Sequence, residues 1–205
     1  ITNYKFQKDT KKPEFFNLSL VEPVTALDPR AHLLLQARDA SSGIASYEIA
    51  IDNNETQTWV DDGSHKMRTS ALSSGAHTVV VKAKDKAGNY LTSSIDVMVE
   101  QMVAPVITKY TPQLDVGEAL SVQGQSYPNV RVVFYIQKDG VSPVTQFVNT
   151  DSDGNFKFIF NSKLTEGNYV VSAKAENDAG AMSATTEKLN ITVSQKAGGS
   201  TGLLV

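Results

Sequence analysis

Apolar residues recur at every second position through most of this chain, in short runs divided by Gly, Asp, Asn and Ser. Side chains of a β-strand alternate between its two faces, so the pattern describes half-buried strands. In Ala45-Ser-Tyr-Glu-Ile-Ala-Ile51, residues Ala45, Tyr47, Ile49 and Ile51 fall on one face and Ser46 and Glu48 on the other. The same parity turns Leu33, Leu35 and Ala37 inward, and likewise Val79, Val81 and Ala83. Farther along it groups Val132, Phe134 and Ile136, and then Phe156, Phe158 and Phe160, as the aromatic core. Strands are expected near 14–21, 31–39, 44–52, 56–60, 65–70, 77–85 and 90–99, and again near 105–110, 117–124, 130–138, 143–149, 155–162, 168–176 and 182–193. No segment sustains a 3.6-residue period, so little helix is expected.

Two of these stretches repeat. Gly75-Ala-His-Thr-Val-Val-Val-Lys-Ala-Lys-Asp-Lys-Ala-Gly88 and Gly167-Asn-Tyr-Val-Val-Ser-Ala-Lys-Ala-Glu-Asn-Asp-Ala-Gly180 lie 92 positions apart, with Gly, Val, Lys, Ala and the closing Ala-Gly in register. A repeat of this length built on period-2 alternation implies two tandem antiparallel β-sandwiches. The expected division is a lead-in over 1–12, a first sandwich over 13–101, a second over 102–194 and a Gly/Ser-rich tail over 195–205. Val103-Ala-Pro-Val106 marks the junction, and both ends read as cut from a longer polypeptide. The turns suit this plan: Asp39-Ala-Ser-Ser-Gly43, Asp61-Asp-Gly63, Asp85-Lys-Ala-Gly-Asn89 and Asp151-Ser-Asp-Gly-Asn155 combine side-chain acceptors with a residue tolerant of positive φ.

Composition narrows the function. A net charge of −3 over 205 residues, with the signs interspersed, leaves no basic footprint for nucleic acid or an anionic membrane. Cysteine is absent, which removes disulfides, thiolate metal sites and thiol nucleophiles together. With three histidines in separate segments, no nucleophile–base pair or histidine metal site is expected, and the chain reads as no enzyme. Lys82, Lys84, Lys174 and Glu176 point outward and read as guards against edge-to-edge pairing of sheets.

The pattern Asp39-xxx-Gly43-Ile-xx-Tyr47, followed by Gly75-xxx-Val79 through Asp85-xx-Gly88-Asn89, resembles the bacterial immunoglobulin-like modules of cell-surface and secreted proteins. Gly124-xxx-Pro128, Asp151-xx-Gly154-x-Phe156 and Gly167-x-Tyr169 are similar to a second group of those modules, also related to fibronectin III-like sandwiches. The resemblance implies an all-β fold of two tandem immunoglobulin-like antiparallel β-sandwiches, an extracellular or bacterial cell-surface setting, and a spacer or stalk role. Its implied partners are neighbouring domains of the same polypeptide, with a surface glycan or protein ligand as the alternative if the chain is an adhesin or carbohydrate-binding accessory module.

Candidate residues follow. Tyr169, two residues after Gly167, stands where a tyrosine corner closes a sandwich end, and His77 holds the same place in the first repeat. Gly88 and Gly180 are structural turn residues. Trp59, with Tyr47 and Tyr90, either forms a stacking platform for a sugar or covers the edge of the core. Val133 and Tyr135, outward by parity, offer an apolar patch. No cofactor is required, with calcium left open. Asp151, Asp153 and Asn155 alternate as calcium ligands do, yet Gly154 and Ser162 stand where an EF-hand loop would not place them. Asp9, Asp39, Asp61, Asp62 and Asp85 are the acidic residues that could gather at one end of the first sandwich.

Overall fold

The structure, a computed structural model, describes residues 8–196, and no helix occurs among them. The chain divides into two compact units, Ile1–Glu100 and Gln101–Val205. In the first, strands β1 (Phe15–Leu20), β2 (His32–Arg38) and β5 (Lys66–Arg68) form one sheet in the order β1-β2-β5. Strands β3 (Ile44–Ile51), β4 (Gln57–Trp59), β6 (Gly75–Asp85) and β7 (Tyr90–Val99) form the other, in the order β4-β3-β6-β7. The second unit repeats the plan with β8 (Val106–Tyr110), β10 (Leu120–Gln125) and β13 (Asn155–Phe160) facing β11 (Arg131–Lys138), β12 (Val144–Asn149), β14 (Gly167–Glu176) and β15 (Leu189–Ser194). It adds a short strand, β9 (Gln113–Asp115), that pairs in parallel with β15 at Thr192, Val193 and Ser194.

The repeat detected 92 positions apart is the pair β6 and β14, each the strand that joins its sheet's two halves. Their inward positions are buried: Val79, Val81 and Ala83 in one, Val171, Ala173 and Ala175 in the other. Leu33, Leu35, Tyr47 and Ile49 complete the first core. Phe134 stacks on Phe158 at 4.1 Å and meets Phe156 edge-on at 5.9 Å in the second, the edge-on contact being one that aromatic quadrupoles favour. Because β6 and β14 are paired on both sides, Lys82, Lys84, Lys174 and Glu176 do not guard an edge. They coat a sheet face, with Lys84 paired to Glu48 and Glu176 to Arg131.

Three departures from simple alternation have local causes. Ala45 is exposed, because a bulge between Ile44 and Ser46 shifts the β3–β6 register and hands its inward place to Ile44. Strand β15 starts at Leu189 instead of near 182. Before it, Ser183 and Thr186 replace ladder rungs: each hydroxyl accepts the amide of Ala175 or Ala173, and each residue's own N–H returns to the same residue's carbonyl. Thr69 brackets Ala31 and Thr150 brackets Val130 in the same way. The third departure is Gly124, at a register shift between β10 and β8. A Cβ there would stand 2.3 Å from the Val106 carbonyl oxygen and 2.6 Å from the Phe156 ring.

Gly124→Ala therefore cannot be absorbed by rotating one side chain. It should destabilise the second unit by about 1–3 kcal/mol, the usual cost of overpacking, read as a lower midpoint in urea unfolding with an unchanged slope.

Candidate functional site

Aspartate and asparagine side chains organise the strand connections of both units. Three loops share one geometry: Asp85 to Asn89, Asp151 to Asn155, and Asn177 to Ala181. In each, the first residue's Oδ1 accepts the amides of the third and fifth residues at 2.8–3.1 Å. The fourth residue, Gly88, Gly154 or Gly180, sits at φ of 95°, 82° or 87°, where a Cβ would be strained. Asp39 does more: its Oδ1 accepts the amides of Ser41, Ser42 and Gly43. These amides, Ser42's above all, hold the Asp39 carboxyl below the usual carboxylate range. Asn155's amide does the same for Asp151.

Two of these turns bring acidic groups together. One carboxylate oxygen each from Asp9, Asp39 and Asp85 lie within 4.8 Å of one another, the one such group of three among the described residues. Asp85 is 2% exposed and continues the inward row of His77, Val79, Val81 and Ala83. Asp9 arrives from the lead-in segment, where its backbone carbonyl accepts from Asn89 Nδ2 at 3.4 Å. Asp61, also considered in the sequence, instead holds the amides of Gly63 and His65 and pairs with the His65 ring. Asp62 caps Ser64. Asp151 and Asp153 stay on their own hairpin, where Asp151 Oδ1 is taken by two amides.

The corner positions match each other. Tyr169 donates its hydroxyl to the Thr165 carbonyl at 3.0 Å and accepts the Thr165 amide at 3.1 Å. His77, its counterpart, reaches the carbonyl of Ser73 from Nε2 at 2.8 Å, four residues back as in the tyrosine case. Its Nδ1 lies 2.6 Å from Asp52 Oδ2. The Ser73 carbonyl can only accept, so Nε2 carries a hydrogen toward it, and the Asp52 carboxylate beside Nδ1 favours the protonated ring. Asp52, His77 and Ser73 have the residue types of a hydrolytic triad, a convergence the spacing in sequence does not reveal. The Ser73 hydroxyl is 3.5 Å away, and Nε2 spends its hydrogen on the carbonyl, so the ring is no base toward Ser73.

The three aromatics named for sugar stacking do not share an exposed face. Tyr47 is 2% exposed, its hydroxyl on the Leu35 carbonyl and its ring between Phe16 and Trp59. Trp59 packs against the first core and covers its edge. Tyr90 stands on the opposite face of the sheet, opposite Lys84 in register and under the Lys82 ammonium at 5.3 Å. The sheet pleat explains the split: Tyr47 pairs with Ala83, one position from Lys84, and so points the other way. Val133, outward by parity, is 7% exposed, flanked in register by Phe147 and Lys174. Tyr135 lies under that lysine at 5.8 Å.

These features define a pair of all-β, immunoglobulin-like sandwiches whose turns and corners are held by polar side chains. Residues 118–195 match the family model described as bacterial Ig-like domain, the family the sequence motifs of the second unit resemble. No curated protein sequence matches the chain. Similar solved structures include the FN1–FN3 domains of chicken CNTN1, 15% identical over 87% of this chain with a TM-score of 0.35. This chain covers 65% of that one. The chicken interferon gamma receptor alpha chain is 11% identical, over 90% of this chain and 99% of its own, at a TM-score of 0.37. The fibronectin(III)-like modules of Clostridium thermocellum CbhA are 18% identical, over 87% and 95%, at 0.35.

The histidine corner makes stability depend on pH. Hydrogen bonding to Asp52, then to the Ser73 carbonyl, raises the His77 pKa above 6.5. Its contribution is complete below 6.5 and is lost as pH climbs through the raised folded value. Asp52 is lowered, chiefly by His77, so its contribution is complete above 3.8 and is lost as pH falls through the depressed folded value. Denaturant unfolding from about pH 6 to 9 should show the wild type losing stability on the alkaline side. His77→Gln should flatten that limb while lowering stability at the acidic end of the range.

Proposed function

We propose that this chain is a non-catalytic structural element of a bacterial extracellular or cell-surface protein, a spacer that holds neighbouring domains of the same polypeptide away from the envelope. The observation that supports it is the use made of polar side chains. The groups that could act on a substrate are engaged within the fold: His77 with the Asp52 carboxylate and the Ser73 carbonyl, Tyr169 with the Thr165 carbonyl, and Oδ1 of Asp39, Asp85 and Asp151 with turn amides. Side chains engaged in this way stiffen the sandwich ends, a use that suits a structural part better than general acid–base work. The match of residues 118–195 to bacterial Ig-like domains agrees with a modular, repeated part.

A glycan and envelope-polysaccharide binding screen of the full chain, with and without calcium, tests the reading against recognition. The expected result is no saturable binding in either buffer. Saturable binding that Trp59→Ala abolishes would make the first unit a carbohydrate-recognition module and overturn the spacer assignment.

A further inference from the structure

We infer that Asp9, Asp39 and Asp85 form a calcium site that fastens the lead-in segment to the first sandwich, which deepens the structural reading above. Each carboxylate commits Oδ1 to its own turn: Asp9 to the Lys11 amide, Asp39 to three amides and the Ser42 hydroxyl, Asp85 to the amides of Ala87 and Asn89. The hydrogen bonds that Asp39 accepts all end on Oδ1, and Asp85 Oδ2 receives only Asn89 Nδ2 at 2.8 Å. Asp9 Oδ2 is sealed from solvent and has no hydrogen-bond partner. A carboxylate oxygen stripped of water with nothing in return is unfavourable, and Asp39 and Asp85 each bring a carboxylate oxygen within 4.8 Å of one of Asp9's.

Among the described residues no lysine, arginine or histidine forms an ion pair with any of the three. The Lys86 ammonium lies against Gly43 of the Asp39 turn without reaching ion-pair distance. A cation held between the carboxylates supplies the missing partner. The donors are all hard oxygens, which excludes a preference for zinc or copper. Three carboxylates fixed by separate turns impose no regular octahedron, which suits the flexible oxygen coordination of calcium better than the near-ideal octahedron magnesium demands. The three residues are far apart in sequence, 30 positions from Asp9 to Asp39 and 46 more to Asp85. One ion therefore ties the lead-in to two separate turns.

Calorimetric titration of calcium chloride into the full chain should give one saturable site with a Kd near the ~0.1–1 mM typical of extracellular modules, and weaker binding of magnesium. Asp85→Asn and Asp39→Asn should weaken calcium by about tenfold or more, since affinity follows ligand charge. Asn177 holds the same turn as Asp85 with an amide oxygen, so the asparagine variants keep their loops. Asp151→Asn, a turn of the same geometry outside the cluster, should bind as the wild type does. Asp9→Asn should raise the melting temperature in EDTA, by relieving repulsion, and erase the rise that calcium produces. No saturable binding up to about 10 mM, or wild-type affinity in Asp85→Asn, would overturn the site. An equal affinity for magnesium would overturn the assignment to calcium. None of these outcomes bears on the spacer reading, which the glycan screen decides separately.

Discussion

A β-sandwich must satisfy the backbone amides that its strands leave unpaired where the chain turns, and here side-chain oxygens meet that demand. Asp39, Asp61, Asp85, Asp151 and Asn177 each collect two or more amides on one oxygen. Thr69, Thr150, Ser183 and Thr186 extend the principle to strand flanks, where a hydroxyl stands in for a rung of the ladder. A buried amide left without a partner costs about 1–3 kcal/mol, so these residues are as necessary to the fold as the apolar rows between them. The polar inventory is therefore largely architectural.

The same constraint governs what could be read in advance. Parity placed Leu33, Leu35, Val79, Val81, Val132, Phe134 and the Phe156–Phe160 row inward because alternation is a local property, and all are buried. Ala45 escaped that logic, since a bulge is a property of two strands in register. So did β9, three residues long and visible only through its pairing with β15. The segment before β15 has strand-like composition, but Ser183 and Thr186 compete with the ladder through their hydroxyls, a contest whose winner depends on the neighbouring strand. Trp59 and Tyr47 did prove to be neighbours, but inside the edge of the core. The acidic group was the least legible: five aspartates near turns were candidates, and only the folded chain selects Asp9, Asp39 and Asp85.

His77 and Tyr169 show two chemistries filling one position. Both reach back four residues to a backbone carbonyl just before the strand, β6 or β14, that joins the halves of its sheet. The tyrosine does so with a hydroxyl, whereas the histidine does so with a ring nitrogen whose opposite nitrogen faces the Asp52 carboxylate. The first unit thus brings a carboxylate into its corner, where the second completes the same backbone path with a single side chain.

The parallel pairing of β9 with β15 has a mechanical meaning. Strand β9 lies near the start of the second unit and β15 near its end, side by side and pointing the same way. Tension drawn through those two strands pulls them in opposite directions along their shared axis. The rungs at Gln113, Leu114 and Asp115 are then loaded in shear and must give way together, whereas a hairpin pulled from its open end would unzip one rung at a time.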